Sequence, residues 1–221
     1  MTNFDNCFEK HSFEELNNLD LNILYNCVSF YLEKFDNPNP IMFDVGTNAG
    51  SFVKVLNYLN IYNDIHGFEP HPVISAKTKE IYPYITMNNY CLGNINGMID
   101  IYIPKWSVGL SSVIKRPVFD NLNQDIYTLN VKCQTLDSYC ELNNISQIDF
   151  IKIDVEGAEK YIFDGATKLL ENKKIKCGVF EIGQTLYDAN THENEIIQIL
   201  ENYGYTINKT IDENNYLFYI L

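Results

Sequence analysis

The stretch Ile41-Met42-Phe43-Asp44-Val45-Gly46-Thr47-Asn48-Ala49-Gly50 is a short apolar strand that runs straight into a polar, glycine-bearing turn. Far downstream, Ile148-Asp149-Phe150-Ile151-Lys152-Ile153-Asp154-Val155-Glu156-Gly157-Ala158-Glu159 repeats the design. In an open α/β sheet such strand ends face a common crevice, so residues remote in sequence surround one ligand. The pair implies a nucleotide-like cofactor site with chemistry beside it.

Working outward, strand 41–45 leads to a helix over 51–59, strand 65–68 leads to a helix over 73–82, and a third strand covers 85–92. The alternation resumes with strand 131–134, helix 136–142, strand 149–153, helix 158–170 and strand 177–181. A last helix over 192–203 ends at Gly204, and strands 206–211 and 216–220 pair around Asp212-Glu213-Asn214. Repeated strand-helix units predict a mostly parallel sheet, and the closing pair predicts an antiparallel edge. Between 93 and 132 the pattern changes. Asn96-Gly97 signals a hairpin turn and Ile99-Asp100-Ile101-Tyr102-Ile103 alternates with period two, which marks an insertion. It continues into Trp106-Ser107-Val108-Gly109-Leu110-Ser111-Ser112, a loop of small and polar residues suited to covering a pocket. Upstream, Phe13, Leu16, Leu19, Ile23, Leu24, Cys27, Val28, Tyr31 and Leu32 recur at helical spacing, predicting one or two amphipathic helices over 12–35 that end at Asn37-Pro38-Asn39-Pro40.

The 221 residues, 46% hydrophobic and 20% charged, suffice for one sizeable core and not for two large ones, so a single structural domain is expected. A net charge of −13 disfavours phosphate backbones and anionic membranes, both of which attract clustered Lys and Arg. Neither a nucleic-acid partner nor a membrane is expected. No apolar run is long enough to span a bilayer and the start, Met1-Thr2-Asn3-Phe4-Asp5-Asn6-Cys7, lacks the pattern of a secretory signal, so a cytoplasmic setting is expected. The six cysteines show no C-x-x-C spacing and read as free, mostly buried thiols. Two glycosylation sequons, at Asn144 and Asn208, carry no weight in so asparagine-rich a chain.

Glycines 46 and 50 lack the G-x-G-x-x-G spacing of a dinucleotide fingerprint, and the turn opens with the carboxylate of Asp44, which suits a ligand bearing positive charge. The same turn also reads as an ordinary strand-to-helix connection capped by Asn48. In Gly67-Phe68-Glu69-Pro70-His71, Glu69 ends the second strand, where an acidic side chain accepts both ribose hydroxyls of a nucleoside, and Pro70 stops the strand and helps begin the next helix. Asp154, Glu156 and Glu181 end the fourth and fifth strands. Such carboxylates can serve as general bases, and they could also hold a divalent cation, although nothing in the spacing requires one. His71 and His192 both stand at helix starts and read as structural, the second with Thr191 as cap and Glu195 three residues on.

In this order, D-x-G-x-N-x-G at Asp44, F-E-P at Phe68, T-L-D at Thr135 and I-D-V-E-G-x-E at Ile153 closely resemble the FkbM family of class I S-adenosylmethionine-dependent methyltransferases over residues 41–182. The resemblance implies a Rossmann-like α/β fold: a seven-stranded, mostly parallel sheet with an antiparallel edge strand, helices on both faces, and a helical extension over 1–40 packed on a methyltransferase domain over 41–221. It implies S-adenosyl-L-methionine as cofactor, with Asp44, Gly46, Asn48 and Gly50 at its methionine end, Glu69 on the ribose, and Cys91 and Leu92 near the adenine. Thr47, Ser51, Pro70 and Ser112 complete the expected cofactor contacts. Asp154, also a cofactor contact, and Glu156 would lie beside the transferring methyl, with Asp154 the first choice of base and Glu156 the second. The implied reaction is O-methylation of a hydroxyl on a glycan or small metabolite; the alternative is a non-catalytic module of the same fold acting as an interaction or regulatory subunit.

Overall fold

A computed structural model describes residues 19–116, 126–210 and 214–221. The expected helical residues 12–18, with Cys7, fall outside these, as does most of the turn expected at 212–214. The strands are β1 (Met42–Val45), β2 (Ile65–Phe68), β3 (Thr86–Asn88), β4 (Cys91–Gly93), β5 (Gly97–Pro104), β6 (Ile126–Thr135), β7 (Ile148–Ile153), β8 (Ile175–Glu181), β9 (Thr206–Lys209) and β10 (Asn215–Tyr219). The helices are α1 (Leu19–Lys34), α2 (Ser51–Tyr58), α3 (Pro72–Ile81), α4 (Leu136–Leu142), α5 (Glu159–Asp164), α6 (Thr167–Glu171), α7 (Gln184–Asp188) and α8 (Glu193–Asn202).

Seven strands form one sheet in the order β3-β2-β1-β7-β8-β10-β9. The first five run parallel and β10 pairs antiparallel with both β8 and β9. Every residue of β1 and β7 is buried, because helices cover both faces of the sheet centre. Strand alternation sends neighbours to opposite layers. Phe43, Ile151 and Ile153 join the core formed with α4 to α6 and α8, whereas Met42 and Phe150 join the core under α1 and α2. None of the described helices is long and apolar enough to cross a membrane. The five described cysteines, Cys27, Cys91, Cys133, Cys140 and Cys177, are free and buried.

Four expectations change. The strand expected at 85–92 is two strands: β3 stays in the main sheet, and β4 leaves it for a second sheet of order β4-β6-β5. Asn96-Gly97 therefore does not join a hairpin, since β4 and β5 flank the long strand β6 instead of pairing with each other. The helix expected over 158–170 breaks into α5 and α6. A side chain on Gly165 would meet the Gly93 carbonyl oxygen at 2.0 Å, so the chain turns against β4 here, and the Asp137 carboxylate accepts the Lys168 and Leu169 N–H groups that start α6. The last helix is capped by His192 and not Thr191, with Glu195 accepting the His192 backbone N–H at 3.0 Å.

Candidate active site

The carboxyl ends of β1, β2 and β7 are stitched into one rim. The Gly46 and Thr47 N–H groups donate to the Phe68 carbonyl at 3.0 Å, and the Asp154 N–H donates to the Val45 carbonyl at 3.1 Å. The turn after β1 curls through three left-handed residues, Gly46 (φ 78°), Asn48 (φ 46°) and Gly50 (φ 85°). A side chain on Gly46 would lie 1.9 Å from the Asp154 carbonyl oxygen, so only glycine lets this turn rest on the end of β7. Gly50, as N-cap of α2, presses instead toward the Tyr82 ring and makes no side-chain cap bond; Asn48 is not the cap.

Against this rim lies a cleft whose empty space, counted out into the open solvent at its mouth, is about 740 Å³. Gly46, Asn48, Glu69, Pro70, Cys91, Leu92, Ser112, Asp154 and Glu156 are all in its wall, so the structure brings most of the expected residues together. Ser111 is there too. Phe68, Ile101, Val108 and Val113 give the wall apolar surface, most of it from the insertion, which supplies the loop expected to cover a pocket. Thr47 and Ser51 line a neighbouring cavity on the α1 side of the turn, and Asp44 and Gly50 line neither.

Glu69 is 7% exposed and accepts two backbone N–H groups, from His71 at 2.8 Å and Asn48 at 3.1 Å. Burial pushes its carboxyl up to about 7, opposed by those two donors. Each oxygen keeps a second lone pair for a ligand hydroxyl. Glu156 sits in the left-handed region (φ 56°), a strained position for a residue with a side chain. Burial and the Asp154 charge push its carboxyl up to about 8, against Arg116. The insertion is fastened here: Arg116 lies 3.7 Å from the Glu156 carboxylate and Ser112 Oγ donates to the Glu156 carbonyl at 2.8 Å. Glu159, the last residue of the second quoted motif, is a support. Its Oε1 accepts the Val155 and Gly157 N–H groups and so shapes the loop that presents Glu156.

Lys152 is the residue the sequence reading passed over. Register places it beside Asp44 on the central pair of strands. Its ammonium donates to the Gly46 carbonyl at 2.7 Å and lies 3.2 Å from Asp154 Oδ2 and 3.4 Å from Asp44 Oδ1. Burial pushes the Lys152 ammonium down, but Asp154 and Asp44 outweigh it and hold the group above its ordinary value. Asp44 is fully buried and neither of its oxygens has a hydrogen-bond partner, so this cation is its compensation. The available signal was a lysine in an otherwise apolar, buried strand. Arg116 carried no signal, lying beyond the patterned part of the insertion.

His71 caps α3, with Pro72 rather than Pro70 opening that helix, and its Nε2 meets the Tyr127 hydroxyl at 2.9 Å. Among the described residues no group of three or more His, Cys, Asp or Glu side chains is assembled that could hold a metal ion.

A doubly wound sheet of this order, with a glycine turn after its first strand and an acidic residue ending its second, is the class I methyltransferase fold. Residues 44–207 match the family model of the Methyltransferase FkbM domain, and the chain belongs to that family. Over 183 residues it is 25% identical to the 2-O-methyltransferase NoeI of Sinorhizobium fredii (strain NBRC 101917 / NGR234), covering 76% of this chain and 74% of the relative. The magnesium protoporphyrin IX methyltransferase ChlM of Synechocystis PCC 6803, solved with bound S-adenosylmethionine, shares the fold at TM-score 0.50 and 10% identity, over 96% of this chain and 86% of that one. The plantazolicin methyltransferase BpumL, solved with S-adenosylhomocysteine, does so at TM-score 0.50 and 10% identity, over 91% and 84%. The protein is an S-adenosylmethionine-dependent methyltransferase.

The wall fits that cofactor. Asn48 Oδ1 is buried without a hydrogen-bond partner, an acceptor left for a ligand donor, and a side chain on Gly109 would crowd Asn48 Nδ2 at 3.2 Å. The carboxylate of Asp154 suits a cationic sulfur.

Proposed function

We propose that this enzyme methylates a hydroxyl oxygen of a carbohydrate or small metabolite, with residues 41–221 as the methyltransferase domain and residues 1–40 as a helical extension packed on it. When bound, S-adenosylmethionine supplies a methyl group on a positively charged sulfur, already a strong electrophile. The protein then has two tasks: to hold the acceptor oxygen in line, and to take its proton. Positioning supplies most of the rate. Asp154 is the base, and one observation carries this reading: its carboxylate, 38% exposed and braced by Lys152, stands in the wall shared by the cofactor cavity and the cavity beside it. Glu156 keeps the insertion fastened over the cavity. The name of the relative NoeI, a 2-O-methyltransferase, agrees with an oxygen acceptor.

Glu69 holds the ribose. Calorimetric titration with S-adenosylhomocysteine tests this: Glu69→Ala is expected to weaken binding by an order of magnitude, about 1.4 kcal/mol. Wild-type affinity for a substituted Glu69 would refute the assignment.

The pH dependence follows from the same carboxyl. It must be ionised to accept both hydroxyls, and its value in the free protein is about 7. Affinity therefore falls as pH drops through 7, by about tenfold between pH 8 and pH 6. Glu69→Gln removes this dependence; a wild-type affinity that is flat across the range would count against the ionised-carboxylate role.

A further inference from the structure

We propose that Asp44, which lines neither cavity, is a specificity-determining residue that acts through Lys152: by sharing the lysine's charge it leaves the Asp154 carboxylate free to favour the positively charged cofactor over its neutral product. The inference rests on the placement of Asp154 beside the transferring methyl in the reading above.

Lys152 alone would defeat Asp154. Its ammonium is buried and lies 3.2 Å from Asp154 Oδ2, close enough to cancel that charge. A pair so matched has no net charge, and a cationic sulfur arriving beside it would gain little. The sheet supplies a third charge. Register sets Asp44 opposite Lys152 across β1 and β7, with Oδ1 3.4 Å from the same ammonium and neither oxygen in a hydrogen bond. Two carboxylates thus share one ammonium, and the group keeps one net negative charge. Asp44 is sealed inside the sheet, whereas the Asp154 side chain is 38% exposed, so the surplus reaches a ligand at Asp154. The three groups sense one another: Asp154 raises the Asp44 carboxyl, and both carboxylates raise the Lys152 ammonium. Glu156 does not duplicate the charge, since its carboxyl, pushed up to about 8, is mostly protonated at pH 7. When Asp154 takes the acceptor's proton and the sulfur is left neutral with the electron pair of its broken bond to the methyl carbon, the attraction ends on both sides and its hold on the product is released.

S-Adenosylmethionine and S-adenosylhomocysteine differ by one methyl group and one charge. The ratio of their dissociation constants, measured by calorimetry on the full chain at pH 7, therefore reads the charge of this group. Asp44→Asn leaves Lys152 to neutralise Asp154, and is expected to lower affinity for S-adenosylmethionine relative to S-adenosylhomocysteine by about fivefold. Asp154→Asn is expected to shift the ratio the same way by a similar factor. The double variant Asp44→Leu, Lys152→Met removes one charge of each sign, so its ratio is expected to stay within about twofold of wild type. If Asp44→Asn does not fold, Asp44→Ser, whose smaller side chain leaves room for water beside Lys152, takes its place with the same expectation. A folded Asp44 variant with the wild-type ratio overturns the inference and leaves Asp44 a structural partner of the lysine. A double variant whose ratio falls with that of Asp44→Asn overturns it as well, because the pair would then act by shaping the Gly46 turn. An unchanged ratio in Asp154→Asn removes the placement of Asp154 beside the sulfur, and the inference with it; a ratio lost there but kept in the Asp44 variants overturns the inference alone.

Discussion

Lys152→Met is expected to destabilise the fold by about 3–5 kcal/mol, because it strands a charge in the middle of the sheet. Asp44 is fully buried and has no hydrogen-bond partner on either oxygen, and the lysine ammonium at 3.4 Å is what makes its ionised form tolerable. Burial already raises the Asp44 carboxyl, with Lys152 pulling it back. Without the lysine, Asp44 escapes by taking up a proton, and this gives the loss a pH signature. A carboxyl raised in the folded state binds more protons there than in the unfolded chain, so the variant is least impaired in acid and loses stability as pH rises above the ordinary carboxyl range. Chemical denaturation at two pH values measures both parts. Asp44→Leu combined with Lys152→Met is expected to recover most of the loss, since replacing a buried pair by apolar groups leaves no orphan charge. If Lys152→Met alone falls within about 1 kcal/mol of wild type, the central ion pair has been misjudged.

Asp154→Asn is expected to lower kcat by about 10²–10⁴, the range for loss of a positioned general base. The substitution keeps shape and leaves Lys152 with Gly46 and Asp44, so cofactor affinity should change by less than about tenfold and the loss should appear in kcat rather than KM. Glu156→Gln supplies the contrast. Its carboxyl lies near 8, so if Glu156 were the proton acceptor, kcat would rise with pH through that value and vanish in this variant. The Asp154 assignment requires the larger loss from Asp154→Asn. The reverse order would move the base to Glu156 and leave Asp154 to orient the acceptor.

Lys152 and Asp154 differ in how much of their role is local to the sequence. Asp154 was legible because an apolar run ending in a carboxylate and a glycine turn is a local pattern, and local patterns survive without coordinates. Glu69, at the end of β2, was legible for the same reason. Lys152 was visible as an oddity in a buried strand, but its meaning depends on lying opposite Asp44 across two strands, and pairing register is a tertiary fact. The carboxylates of the quoted motifs also look alike in sequence while doing different work. Asp137 starts a helix, Glu159 ties down a loop, and Glu156 lines the cavity.

By itself, the sequence determined the alternation of strands and helices, the parallel sheet with its antiparallel edge, and the rim of glycines and carboxylates, because each is written in spacing over a few residues. Only the tertiary structure decided that β4 leaves the main sheet, that Gly50 and Asp44 stand behind the wall while Arg116 fastens the insertion to Glu156, and that α1, β8 and β10 enclose a second polar cavity. The physical reason is common to all of these. They are contacts between elements distant in the chain, set by packing and buried charge, and no local pattern encodes which side chain will face which partner.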